Sequence, residues 1–237
     1  MSDAVTRIAA TCASPLIQLS CEHASNRMPP GFAWPDADKR LQHQHWAWDP
    51  GAAHITRMLA KEFSAPAVVS RFTRLLIDPN RELTSNTLFR DTADGEPVAL
   101  NTDLSAAERE RRVRELYQPY HDAYDEMVAQ TDAVVVSVHS FTPVYEGETR
   151  YVEVGVLHDQ QPDLGIAIRE LLQTSYRAMD NEPWDGRGGM MFAPQSHATT
   201  HGRRAVEFEI RQDLATDPVW RQQFVKTVSR VLRTVLA

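Results

Sequence analysis

The sequence predicts a single α/β domain over residues 1–237, in three layers: a mixed, largely parallel sheet with helices on both faces. Two observations predict it. Short, β-branched apolar runs of strand length recur along the chain, each followed at once by polar residues. Between them apolar residues recur at helical spacing, and strands alternating with helices of that length build a sheet covered on both sides. A chain of 237 residues, 42% of them hydrophobic, is long enough to bury such a core. No internal repeat, low-complexity tract or Gly/Ser linker divides it.

The first predicted strand is Leu16 to Leu19. Asp49-Pro50-Gly51 then introduces a helix in which Ala52, Ile55, Met58 and Leu59 share a face, ending near Phe63. Strands follow at Ala67 to Ser70 and Leu75 to Ile77. Residues 82–103 lack periodicity, and so long a loop reads as a functional cover or a mobile segment. Ser105 with Glu108 spells a capping box, opening a helix that buries Leu116, Tyr120, Tyr124 and Met127, with Pro119 set to kink or divide it. Further strands are expected at Ala133 to Val138, Val152 to Leu157 and Ala205 to Ile210. A helix follows Pro162-Asp163, residues 180–202 form a second long loop, and Asp217-Pro218 opens a final helix facing inward through Phe224, Val228 and Val231.

Composition narrows the function. There are 25 Lys and Arg against 32 Asp and Glu, a net charge of −7, whereas a general nucleic-acid binder needs a basic face. No apolar run reaches the length of a membrane span, and the first residues, with Arg7 and Pro15, lack the unbroken apolar core of a secretory signal. Two cysteines, Cys12 and Cys21, are too few for a disulfide scaffold and fit a reducing cytoplasm. The expectation is a cytoplasmic protein with a small-molecule partner and neither nucleic acid nor membrane.

In open α/β sheets ligands bind beyond the carboxyl ends of the strands. His23 follows the first predicted strand, Asp78, Asn80 and Arg81 follow Leu75 to Ile77, and His139 and Ser140 close the run from Ala133. In Ala205 to Arg211, Glu207, Glu209 and Arg211 alternate with apolar residues and so share one face. Two histidines, carboxylates and guanidiniums arriving at strand ends make up the composition of a hydrolytic metal site, in which imidazoles and a carboxylate hold Zn²⁺ and another carboxylate handles protons. His43, His45, His54, His158, His197 and His201 read as solvent-facing or supporting residues, and Tyr117, Tyr120 and Tyr124 as core packing. HExxH, GxSxG, GxGxxG and phosphate-loop motifs are absent. A metal-free cysteine amidase using Cys21 and a non-catalytic binding module are the rival readings.

The blocks LSCEHASNRMP (19–29), HWAWDPGA (45–52), SRFTRLLIDPNR (70–81), VVVSVHSFTP (134–143), GVLHD (155–159) and EFEIRQDL (207–214) resemble, in that order, the N-formylglutamate amidohydrolase family. That family is similar in turn to the zinc carboxypeptidase and aspartoacylase group. The resemblance implies a zinc-carboxypeptidase-like fold with one catalytic Zn²⁺, hydrolysing a small N-acyl amino acid, N-formyl-L-glutamate in the named case. It implies His23 and His139 as metal ligands, Glu209 as general base, Arg81 as a catalytic and substrate-binding residue, and Asn80 as its partner in binding. Ser140 and Arg211, in the same blocks, are expected substrate contacts. The wider group has HxxE, but Asn26 stands three residues after His23. The third ligand is therefore sought at Asp49 or Glu22, with Asp49 preferred because it opens a helix facing the same strand end.

Overall fold

The computed structural model describes residues 3–237. Strand β1 (Val5–Ile8) and β2 (Ile17–Cys21) precede helix α1 (Ala52–Phe63) and β3 (Ala67–Ser70). A small hairpin, β4 (Thr92–Ala93) and β5 (Glu96–Pro97), leads to α2 (Ala106–Arg112) and α3 (Gln118–Ala129). Strand β6 (Val134–Phe141), a second hairpin of β7 (Val144–Tyr145) and β8 (Glu148–Thr149), β9 (Val154–Leu157), α4 (Pro162–Leu172) and β10 (Ala178–Asp180) follow. The chain ends with α5 (Phe192–Thr200), β11 (Ala205–Arg211), α6 (Gln212–Ala215) and α7 (Pro218–Leu236).

Seven strands form one sheet in the order β1-β3-β2-β6-β11-β9-β10. The pairs β3/β2, β2/β6, β6/β11 and β9/β10 are parallel, whereas β1/β3 and β11/β9 are antiparallel. This is the mixed, largely parallel sheet the sequence predicts, with helices on both faces. Alternation divides the buried residues of the central strands sharply. One face carries Leu19, Cys21, Val136, Val138, Phe208 and Ile210, packed against α1, α4 and α7. Burying side chains of that size contributes about 1.5–3 kcal/mol each. The other face carries Ser20, Ser137, His139, Glu207 and Glu209 near the strand ends, roofed by Tyr120 and Tyr124 of α3. A buried sheet face this polar is unusual for a packing layer and marks where the chemistry lies.

Several predicted elements change form. Leu75, Leu76 and Ile77 are fully buried but make no strand. Their backbone closes a turn, with Leu76 N–H donating to Thr73 O and Asp78 N–H to Leu88 O, so burial here comes from surrounding loops. Ser105 caps α2 by accepting the Glu108 N–H, but the Glu108 carboxylate turns to Arg111 and Arg112, completing half of a capping box. The helix is divided just ahead of Pro119, which stands in the first turn of α3. A π-helical turn, Val113–Tyr117, joins α2 to α3, with Gln118 N–H reaching Val113 O, and the wider turn accommodates the residue that has no N–H.

The long loops are built segments. In 82–103, Asn101 donates to Leu75 O and Arg90 O, while Asp38 accepts from Ala99 N–H and Leu100 N–H. Within 180–202 lies α5, hidden from pattern reading because residues around much of its circumference are buried, among them Ala193, Gln195, His197 and Ala198. Gly155 in β9 lets this segment cross the sheet: a Cβ there would lie 1.9 Å from Glu182 O. No helix among the described residues is long and apolar enough to cross a membrane.

Candidate active site

Parallel pairing of β2, β6 and β11 brings their carboxyl ends to one edge. His139 pairs in register with Glu209, and His23 follows the end of β2 two residues on. Asp49 joins them through its backbone, whose N–H donates to His23 O at 2.8 Å just before α1 begins. Gly51 makes that junction possible: its φ is +89°, and a Cβ would lie 2.2 Å from Ala215 O.

The three side chains converge. Asp49 Oδ2 lies 2.9 Å from His139 Nδ1 and 3.4 Å from His23 Nδ1, and it accepts the Ser140 N–H at 3.2 Å. One ligand atom from each of His23, Asp49 and His139 lies within 4.8 Å of the others, all buried. His23 Nδ1 is a buried nitrogen with no hydrogen-bond partner in the protein. Both imidazoles are held from behind, His23 Nε2 at 2.7 Å from Asp78 Oδ1 and His139 Nε2 at 2.9 Å from Glu22 Oε2. Two imidazole nitrogens and a carboxylate facing one point, with carboxylates on the far nitrogens, fit a divalent ion such as Zn²⁺ with a position left open. Of the two carboxylates weighed from sequence, Asp49 faces that point, and Glu22 is turned to the opposite nitrogen of His139. Asn26 donates to Gln42 O instead.

Burial disfavours ionised Asp49, but the His23 charge and the hydrogen bond from His139 outweigh it and hold the carboxyl well below its ordinary range. Asp78 is likewise held low against burial, by Arg74 first and then His23. The two β11 carboxyls go the other way. Burial pushes Glu207 up to about 7 and raises Glu209 well above its ordinary value, with Asp49 adding to the rise in both. One edge thus carries carboxylates fixed as anions beside carboxyls poised to exchange protons.

Above this floor opens a cleft of about 180 Å³ lined by Glu209, Arg81 and aromatic walls. The hairpins set the walls. Arg90, before β4, lies 5.0 Å over the Trp46 ring, and Trp46 is fixed by its N–H to Asp94 in the hairpin turn. Arg150, after β8, lies 4.5 Å over both Tyr145 and Trp184. Arg81 donates to Asn80 O and Thr87 Oγ1. Arg74 is neutralised by Asp78 at 2.6 Å, whereas Arg81, Arg90 and Arg150 pair with no carboxylate among the described residues.

Not every expected contact reaches the cleft. Arg211 is not among its lining residues: its guanidinium pairs with Asp213 and donates to Arg150 O. Asn80 lines the cleft, but its amide is taken up by Met190 O and Ala193 N–H, so it ties the 190–193 segment to the turn after Ile77. Ser140 lines the cleft too, though its hydroxyl donates to Pro50 O and its N–H holds Asp49. Of the histidines read as solvent-facing or supporting, His45 lines the wall, and His158 and His197 are buried. Cys21 points to the apolar face, and burial raises its thiol far out of the range of a nucleophile. A cysteine amidase has no support in this geometry.

The family model described as N-formylglutamate amidohydrolase matches residues 14–216. The gene product Atu2144 of Agrobacterium tumefaciens has a similar crystal structure, with TM-score 0.92 and 33% identity over 98% of this chain and 94% of that one. The N-formylglutamate amidohydrolase of Ralstonia eutropha JMP134 shares the fold, with TM-score 0.72 and 18% identity over 98% of each chain. No curated protein gives a significant match. The matched stretch runs from before β2 to beyond β11, taking in every strand that feeds the cleft, and the chain belongs to the N-formylglutamate amidohydrolase family.

Proposed function

We propose that the chain is a zinc-dependent amidohydrolase of N-acyl amino acids, with N-formyl-L-glutamate as substrate and formate and glutamate as products. The observation that carries this reading is the convergence of His23, His139 and Asp49 at the foot of a cleft that also holds Glu209 and unneutralised guanidiniums. The chemistry that a divalent ion supplies, when held by those three side chains, is Lewis acidity toward the acyl carbonyl and toward water. Glu209 takes a proton from the attacking water and returns it to the leaving amine. Burial raises its affinity for protons, which suits a group that must take one from water. Arg81 offers a fixed fork of N–H donors to the substrate carboxylate and to the charge developing on the carbonyl oxygen. Arg90 and Arg150, held on aromatic rings, supply the second positive grip a dicarboxylate requires. The free cysteines accord with a reducing cytoplasm.

Elemental analysis after purification with added metal, together with formate release, tests the reading. The expected result is about one Zn²⁺ per chain and at least about tenfold higher kcat/KM for N-formyl-L-glutamate than for N-formyl-L-glutamine or the α-amide. A metal-free protein with full activity would overturn the metal assignment. Failure to release formate from any N-formyl amino acid would overturn the activity.

A further inference from the structure

The carboxyl ends of β2 and β3 open a second crevice, of about 340 Å³, that shares no lining residue with the cleft. The two strands run parallel, so the segments that leave them emerge side by side. The loop after β2 brings Ser25 and Arg27, β3 ends in Ser70, Arg71 follows at once, and α1 adds Arg57. Three guanidiniums thus gather in a chain whose net charge is −7. A single carboxylate answers them. Asp3 Oδ1 lies 3.0 Å from Arg27 Nη2 and 3.6 Å from Arg71 Nη2, so two guanidiniums converge on one oxygen atom. Arg57 pairs with no carboxylate among the described residues, and one of its N–H groups donates to Ala53 O within α1. Two hydroxyls complete the lining. Ser25 Oγ accepts the Arg27 N–H and Ser70 Oγ the Ala24 N–H, each at 3.1 Å, and neither hydroxyl donates to another group among the described residues. Ser70 is 2% exposed yet lines the crevice, so a buried donor stands there without an acceptor.

We propose that this crevice is a binding site for a phosphate group, either the free anion or a phosphate monoester. The Asp3 carboxylate marks where an oxyanion sits. Arg27 and Arg71 offer forked N–H donors from two neighbouring segments, Arg57 adds the third positive charge, and Ser25 and Ser70 donate from their hydroxyls. A carboxylate brings one charge and two oxygens, which leaves Arg57 unanswered. A phosphate brings a charge of about −1.5 to −2 and three acceptor oxygens, enough to engage every one of these donors. Asp3 is half exposed, and an ion pair so open to water is held weakly, so an anion of higher charge displaces it. None of these groups lines the cleft, and the proposal stands or falls apart from the hydrolytic reading.

Arginine Nε–Hε spectra of the ¹⁵N-labelled full chain, titrated with sodium phosphate at constant ionic strength, test the site. The signals of Arg27, Arg57 and Arg71 are followed individually, because phosphate is free to reach Arg81, Arg90 and Arg150 of the cleft as well. The expected result is a saturable shift of all three with one shared Kd, and no such shift at Arg114, a well-exposed guanidinium outside both sites. Asp3→Asn withdraws the competing charge and should tighten phosphate about two- to fivefold. Arg71→Gln removes a charged donor and should weaken it at least about tenfold. Both substitutions fall on partly exposed side chains, so the fold tolerates them. Glycerol 2-phosphate identifies the source: binding as tight as inorganic phosphate or tighter assigns the site to a monoester, and much weaker binding to the free anion. Shifts that never saturate and run parallel at Arg114 would be ionic screening alone. An affinity unmoved by Asp3→Asn and Arg71→Gln would place the anion elsewhere. Either result overturns the proposal.

Discussion

Glu207 and Glu209 stand on the same face of β11, both buried, yet they face different partners. Glu207 lies 3.5 Å from His139 Nε2, behind the ring, whereas Glu209 pairs in register with His139 and feels the Arg74 charge across the cleft. Glu209→Gln keeps size and polarity but cannot take a proton, so kcat should fall on the order of a hundredfold or more with metal retained. Glu207→Gln should lose far less. Side-by-side kcat values with metal content decide this, and the reverse ranking would move the base to Glu207. Arg81→Lys replaces a planar fork with a single ammonium, and kcat/KM on N-formyl-L-glutamate should fall at least tenfold, about 1.4 kcal/mol. An unchanged value would remove Arg81 from substrate recognition. That His23, His139 and Glu209 gather at one cleft was legible because each falls at or near a strand end or on a counted face. Arg211 was not, because alternation fixes a face and says nothing of where a strand stops. β11 ends at Arg211, and Asp213 in the next turn captures its guanidinium. Arg90, Arg150 and His45 come from segments without periodicity, where sequence gives residue type but no direction.

Among the elements, the 82–103 segment depends on one buried guanidinium. Arg112, at the end of α2, donates to Leu76 O, Asn101 Oδ1 and Leu100 O and pairs with Glu108. Arg112→Ala leaves buried carbonyls without donors and should cost about 3 kcal/mol or more in urea unfolding. Hydrogen exchange should show the loss centred on residues 82–103, and an unaltered segment would mean that Asp38 and Asn101 suffice to hold it. Strands with β-branched runs were readable in advance, and so were α1, α4 and α7 with their apolar stripes. The run Leu75 to Ile77 misled because full burial is shared by strands and by turns packed under loops. Helix α5, buried on several sides, has no stripe to read.

Acid sensitivity belongs to the whole molecule. His121 of α3 and His197 of α5 meet at 2.9 Å, with the other His121 nitrogen on Pro79 O, so both helices and the turn after Ile77 share one neutral imidazole pair. Burial, reinforced by His197, pushes His121 down from 6.5 to about 4, and burial lowers His197 as well. The unfolded chain therefore binds more protons in this window. The stability these groups contribute is complete above pH 6.5 and is lost as pH falls toward about 4. Urea midpoints across that range should decline in the wild type and flatten in His121→Gln; parallel curves would show that other groups set the acid limb. The sheet order itself was not legible, since local pattern identifies strands but not their neighbours.

β11 is the last strand in sequence, yet it lies between β6 and β9. While a chain is being made, β1, β3, β2 and β6 can pair in turn, leaving β6 as an open edge. β9 and β10 have no strand of that half to join, because among the described residues they pair with it only through β11. The strand that welds the two halves also carries Glu209. A nascent chain can therefore pair β2 with β6, the strands that lead to His23 and His139, before Glu209 is in place, and on the function proposed above hydrolytic competence waits for the closure of the sheet.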